Sequence, residues 1–199
     1  MGALLFAALA VSAVFVDSFP GDERIAGPVH DIDVPAFAGF IDAVNALGYW
    51  WAYFPLMLAL AFAFAMMRAG WESILLLATS ALVGLNTLLK DWIGRPRPSS
   101  PGDAFPSGHT VATAALFGVL FLVLPAVVPV RWLRWPLQAG CLLMVAAAGP
   151  ARVYVDAHSP SDVFAAYLLV VLFLAPVFAA YWRLKPRPAK KLTESDAPA

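Results

Sequence analysis

Two of the three histidines in this chain sit in short polar stretches set inside largely apolar sequence. One stretch runs Lys90-Asp91-Trp92-Ile93-Gly94-Arg95-Pro96-Arg97-Pro98, a second is Pro106-Ser107-Gly108-His109, and a third carries Arg152, His158 and Asp162. The cations Lys90, Arg97 and Arg152, with two imidazoles and a carboxylate, form a set that can grip a phosphate and attack it. An arginine fork matches two phosphate oxygens, and a lysine adds a point charge. Charged groups near a bilayer are costly and rarely idle. That favours a ligand role for these cations over simple snorkelling anchors.

Local spacing gives each residue a task. Ser107 directly precedes an apolar run and can cap a helix there, and Gly108 lets a ligand approach the backbone. Free amides at that helix start would add donors for an anion. His109 then points toward the same anion and can protonate a leaving oxygen. His158 and Asp162 are four residues apart, so one helical turn brings them together. A carboxylate bonded to one ring nitrogen fixes the tautomer and leaves the other nitrogen free to attack. Ser159-Pro160-Ser161-Asp162 also fits a capping box, so two roles for Asp162 stand open at this level. Asp91 and Asp103 read as local charge balance.

The elements that must position these groups follow from composition. Of 199 residues, 61% are hydrophobic and only 13% charged, with a mean hydropathy of +0.77. A soluble domain has about 45–50% apolar and about 25% charged residues, so an integral membrane protein is expected. Six apolar runs predict spans, at about 3–16, 49–67, 73–89, 110–130, 135–149 and 163–182. They are continuous rather than alternating, which selects helices over a barrel. The expectation is an all-α, six-helix membrane bundle in one domain over residues 1–182. A disordered basic tail is expected over 183–199. The first run has no basic residue before it and reads as a retained helix, not a cleaved signal peptide.

Residues 17–33 are acidic and read as a linker joining two helices, with shielding of the site as the alternative. Residues 35–44 read as an amphipathic interfacial helix. Tyr49, Trp50, Trp51 and Tyr53 read as an interfacial belt, with lining of a lipid entry slot as the alternative. Basic residues dominate one set of loops (Arg68, Arg131, Arg134 and the tail), and acidic residues dominate the other. The positive-inside rule then puts both termini in the cytoplasm and all three motif stretches on the outer face. That topology uses no motif. Zero net charge and the lack of a basic tract interleaved with aromatics argue against a nucleic acid partner. Cys141 has no disulfide partner or metal-ligand spacing and reads as a small buried hydrophobe.

Lys90 with Arg97-Pro98, then Pro106-Ser107-Gly108-His109, then Arg152, His158 and Asp162 resemble the signature of the type 2 phosphatidic acid phosphatase family. Its pattern is K-x6-R-P, P-S-G-H and S-R-x5-H-x3-D. One position departs: the family serine is Ala151 here, which would remove a hydroxyl from the phosphate shell. The resemblance implies His158 as the nucleophile of a phosphohistidine, Asp162 as its orienter and His109 as the acid. It implies phosphate binding by Lys90, Arg97, Ser107, Gly108 and Arg152, with no metal or other cofactor. It also implies a bacterial plasma-membrane enzyme acting on a lipid phosphate. An outward-facing site favours undecaprenyl diphosphate, ahead of phosphatidylglycerol phosphate or phosphatidic acid. The rivals are a non-catalytic lipid phosphate binder or transporter and a vanadate-dependent oxidase.

Overall fold

A computed structural model describes residues 1–32, 34–99 and 101–185. Eight helices carry them: α1 (Gly2–Ala13), α2 (Asp22–His30), α3 (Pro35–Gly48), α4 (Trp50–Met66), α5 (Gly70–Ile93), α6 (Gly108–Val127), α7 (Arg131–Tyr154) and α8 (Pro160–Leu184). The all-helical expectation holds. α5, α6 and α8 are each long and apolar enough to cross a membrane. α3 and α4 pass that test as a pair, bent by 71° at their junction. α1 is apolar but has only 12 residues, about 18 Å of helix. α7 reaches beyond the expected run at 135–149 on both sides, because its polar ends, Arg131 and Arg134 at one and Arg152 at the other, stay helical. The chain is an integral membrane protein. Residues 186–199, most of the expected tail, lie outside the described residues.

α6 is the axis of the bundle. Its sequence is apolar all round, as befits a helix buried on most faces, and it touches α3, α4, α5, α7 and α8. Val111, Ala115, Val119 and Val123 on α6 are all fully buried. They pack with Tyr53 and Met57 of α4, Leu76 and Leu82 of α5, and Leu169 and Leu174 of α8. Cys141 belongs to this core and is a free thiol.

The connections sort the polar residues to the two ends. The C-terminal ends of α5 and α7 and the N-terminal ends of α6 and α8 meet at one end. Gly94 stops α5 there with a left-handed φ of 64° and donates its N–H to the Lys90 carbonyl at 2.8 Å. This conformation suits glycine, which has no Cβ to clash. The chain then turns back under α5 and brings Arg95 and Arg97 to the heads of α6 and α8.

The segment read as a plain linker is different. Residues 22–30 form α2, whose His30 Nε2 contacts the Val153 carbonyl at 2.8 Å and so covers the end of α7. The aromatic belt also divides. Trp50 and Trp51 are exposed, whereas Tyr53 is buried and shares a hydrogen bond of 2.7 Å with Thr79. Tyr49 lies against His109.

Candidate active site

His109 is the second residue of α6, next to the elbow between α3 and α4. A Cβ on Gly48 would stand 2.5 Å from His109 Cδ2 and 2.7 Å from its Cβ. Only glycine lets α3 end so close to the imidazole. Tyr49 meets the ring edge-on with centroids 4.5 Å apart. The elbow thus fixes His109 from one side, and Arg152, Arg97, Lys90 and His158 lie within electrostatic reach of it.

His158 immediately precedes the cap of α8 and is 2% exposed. Its Nδ1 faces Asp162 Oδ2 at 3.6 Å, within ion-pair range but longer than a formed hydrogen bond. Of the two roles left open for Asp162, the cap is formed, while the carboxylate faces the imidazole without a formed hydrogen bond. Asp162 completes a capping box with Ser159, its Oδ2 accepting the Ser159 N–H at 2.9 Å, while the same oxygen faces the imidazole. With Nδ1 turned to the carboxylate, Nε2 is the nitrogen available for attack. Burial pushes the His158 pKa down to about 4; Asp162 opposes this shift, and the positive charges of Lys90 and Arg152 reinforce it. The ring is therefore neutral near pH 7.

The three expected phosphate cations come to the same end of the bundle. Lys90 Nζ donates to the carbonyls of Asp103 (2.7 Å) and Ala104 (3.1 Å), and Arg97 Nε donates to the Asp103 carbonyl at 3.1 Å. Asp103 thus offers its backbone oxygen to both cations. Arg97 lines two cavities. One, of about 510 Å³, is also walled by His158, Asp156, Glu23 and His30. The other, of about 400 Å³, is walled by Asn45, Tyr49, Ser99 and Arg152.

Ser107 occupies the N-cap of α6 but makes no side-chain cap hydrogen bond. Its hydroxyl instead accepts from Thr110 Oγ1 at 2.9 Å, and its N–H donates to the Asp162 carbonyl at 3.2 Å. Ser107 therefore holds the N-cap position, but its hydroxyl does not cap the helix. The bond from Ser107 N–H fastens the head of α6 to the head of α8, which carry the two histidines. Gly108 lies beside Asn86 and Lys90 of α5.

Several contributors were not singled out from sequence. Asn45 of α3 accepts a hydrogen bond from Arg152 Nη1 at 3.1 Å and donates to the Ala151 carbonyl at 3.5 Å. Ala151 itself is fully buried and packs with Ile41 and Val44 of α3. Its methyl lies in an apolar contact, so the departure from the family serine falls at the α3–α7 interface. Asn86 sits one turn before Lys90 and is 2% exposed. Among the described residues, the buried side-chain atoms without a hydrogen-bond partner are Asn86 Oδ1, His109 Nε2, Arg152 Nε and His158 Nδ1. Such atoms are costly and uncommon in folded proteins, and all four belong to this end of the bundle. A buried Asn inside an apolar run is expensive unless it has work to do, and that was the available signal for Asn45 and Asn86. Among the described residues, no three His, Cys, Asp or Glu side chains group as metal ligands would.

This arrangement of motifs has known relatives. The PAP2 superfamily profile matches residues 71–186, and the chain belongs to that superfamily. Phosphatidylglycerophosphatase B of Bacillus subtilis (strain 168) is 28% identical over 164 residues, which cover 76% of this chain and 78% of the relative. The crystal structure of a transmembrane PAP2-type phosphatidylglycerolphosphate phosphatase from Bacillus subtilis matches with a TM-score of 0.80. That match is at 24% identity and covers 92% of this chain and 96% of the other. It establishes the likeness of fold.

Proposed function

We propose that this protein hydrolyses the phosphate headgroup of a membrane lipid through a phosphohistidine. The observation that carries the reading is the meeting of His158, backed by Asp162, with His109 and three cations at the fastened heads of α6 and α8. His158 Nε2 forms a bond to phosphorus as the bond to the lipid oxygen breaks, and His109 gives that oxygen a proton. Water then attacks phosphorus, His109 takes its proton, the N–P bond breaks and inorganic phosphate leaves. Lys90, Arg97, Arg152 and the Gly108 amide at the head of α6 stabilise the charge on the pentavalent transition state. The chain's own cations supply that stabilisation, so chelation by EDTA should leave the rate unchanged.

The name of the Bacillus relative moves phosphatidylglycerol phosphate ahead of undecaprenyl diphosphate as the first substrate to test. In this reading α1 and α4 to α8 cross a bacterial plasma membrane, with termini in the cytoplasm and the histidines outside. Both termini and the basic loops then share one side, as the Lys/Arg bias requires.

The test is phosphate release by purified protein in one detergent, with phosphatidylglycerol phosphate, phosphatidic acid and undecaprenyl diphosphate compared by kcat/KM. A preference of tenfold or more identifies a dedicated substrate. His158→Ala should lower kcat at least about 10³-fold, the scale seen when a nucleophile is removed. A phosphate label should be trapped on the wild-type protein and not on the variant. Vanadate, a mimic of the pentavalent state, should inhibit. Full activity in His158→Ala would end the phosphohistidine reading, and binding without release across the panel would favour a lipid phosphate carrier.

A further inference from the structure

Arg95 belongs to the same stretch as Lys90 and Arg97, yet its side chain is buried among protein acceptors. It is 2% exposed, the bulkiest of the fully buried side chains. Its Nη1 donates to Asp162 Oδ1 at 2.6 Å and to Ser161 Oγ at 3.0 Å. Its Nη2 donates to the Asp17 carbonyl at 2.8 Å and reaches Asp22 Oδ2 at 3.5 Å. Its Nε donates to the Asp17 carbonyl at 3.1 Å. A guanidinium has five N–H donors, and these contacts use them all. The Phe19 ring covers the guanidinium, with its centroid 5.0 Å away.

Asp22 holds the other side. Its Oδ1 accepts the Ser161 N–H at 2.9 Å, and its Oδ2 accepts the Ser161 hydroxyl at 2.8 Å and the Phe19 N–H at 2.9 Å. Asp22 is therefore a carboxylate placed on the N-terminal turn of α8, where the helix dipole favours negative charge. Arg95 bridges this carboxylate to Asp162. One guanidinium thus ties the segment before α2 to the residue that faces the imidazole.

We infer that Arg95, anchored by Asp22, is a positioning residue: it fixes the plane of the Asp162 carboxylate so that Oδ2 stays turned to His158 Nδ1. The inference rests on His158 being the nucleophile. With Oδ1 held by Arg95 and Oδ2 by the Ser159 N–H, the carboxylate cannot rotate to follow a misplaced imidazole. The charged and titratable groups facing His158 are Asp162 on α8, Lys90 on α5, Arg152 on α7, His109 on α6 and, around the cavity, Arg97, Asp17, Glu23, His30 and Asp156. Arg95 and Asp22 act on it from behind Asp162, with opposite signs.

The experiment uses full-length protein in detergent, with dioctanoyl phosphatidic acid micelles as the probe. Arg95→Gln should lower kcat at least about 30-fold with KM within about threefold, because Arg95 has no donor left for phosphate. Arg95→Lys, which keeps the charge but not the fork, should recover part of that loss. The acid limb of kcat/KM should move up in Arg95→Gln, because a cation that disfavours protonated His158 is gone. It should move down in Asp22→Asn, because a carboxylate that favours it is gone. Each shift should be about half a pH unit or more, the scale of one charge acting through partly screened protein.

A purely structural role would lower the melting temperature without moving the limb in opposite directions. A raised KM at unchanged kcat in Arg95→Gln would make Arg95 a phosphate ligand and overturn the inference. So would kcat within twofold and an unmoved limb. If Arg95→Gln fails to fold, Asp22→Asn decides: a limb that moves down supports the inference, and an unmoved limb overturns it. His158→Ala is assayed beside them. An active His158→Ala removes the parent reading, whereas an inactive one beside an unaffected Arg95→Gln removes only the clamp.

Discussion

At the end of the bundle away from the histidines, Glu72 is buried at the start of α5 and accepts hydrogen bonds from Tyr181 (2.7 Å) and from Lys185. Lys185 also donates to Tyr181 at 2.9 Å, and its side chain is 31% exposed. This is a closed cluster of one carboxylate, one cation and one phenol, joining α5 to the end of α8. The histidine end is built the other way. Lys90, Arg95, Arg97 and Arg152 gather there around the buried carboxylates Asp22 and Asp162, and all the unpartnered buried atoms named above belong to it. The far end satisfies its polar groups and gains a joint. The near end keeps open valences beside its cations, which cost stability unless a ligand uses them.

The largest effect should come from disturbing the near end without touching a charge. Gly48→Ala drives a methyl into His109, whose Cβ stands 2.7 Å from the ideal position of the new atom. The imidazole must shift, and misplacement of a catalytic group by about 1 Å can cost about 10²-fold in rate. A fall of that order in kcat is expected, with a lowered melting temperature, because rotating the ring cannot relieve a clash at His109 Cβ. Wild-type kinetics in Gly48→Ala would mean that the α3–α4 elbow does not hold His109.

The pH dependence separates the ends further. An ordinary histidine titrates near pH 6.5, whereas burial puts His158 at about 4. The unfolded chain therefore binds the extra proton first as pH falls. The stability contribution of neutral His158 is complete above about pH 6.5, declines between about 6.5 and 4, and is gone below about 4. In the proposed mechanism the neutral ring reacts, so the limb of kcat/KM owed to His158 should lie near pH 4. A profile recorded with a substrate whose phosphate ionisation is known checks this. A limb near pH 6.5 assigned to His158 would show that the ring is solvated before substrate binds.

The far end should respond in the opposite currency. Glu72→Gln keeps an acceptor for Tyr181 but removes the charge that pairs with Lys185. Because Lys185 is partly exposed, the loss should be about 1–2 kcal/mol, well below that for a fully buried pair. Thermal unfolding in detergent should register it while kcat and KM stay within about twofold. A drop in kcat comparable to that of Gly48→Ala would erase the distinction between the two ends.

The same contrast accounts for what could be read from the sequence. Motif residues were legible because chemistry restricts their types and spacing: Lys90, Arg97, Ser107, Gly108, His109, Arg152, His158 and Asp162 are all set around the heads of α6 and α8. The helices were legible because lipid demands continuous apolar runs. Arg95 was visible as a charge, but nothing in its spacing says that its fork turns to Asp162 and Asp22. Asp22 looked like one acid among several in a linker, and its partner Ser161 lies far along the chain. Gly48 and Tyr49 act through the bend between α3 and α4, which is a property of packing. Contacts between distant segments carry no local pattern, so these supports appeared only when the chain was folded.

Ala151 puts the smallest expected effect at the boundary between motif and support. The family pattern has serine there, and restoring it looks like adding a phosphate ligand. The fold places the methyl against Ile41 and Val44 instead, with the Ala151 carbonyl receiving Asn45. A serine hydroxyl at that position must bond back to a carbonyl of its own helix or stay unpaired in an apolar contact. Ala151→Ser should therefore change kcat/KM by less than about threefold and lower stability by about 1 kcal/mol or less, the usual scale for a hydroxyl with an imperfect partner. Asn45 already steers Arg152 through a bond of 3.1 Å, so an added hydroxyl has little left to improve. A tenfold gain in kcat/KM would show that the hydroxyl reaches the phosphate and that α3 yields to admit it. The orientation of Arg152 would then depend on residue 151 as well as on Asn45.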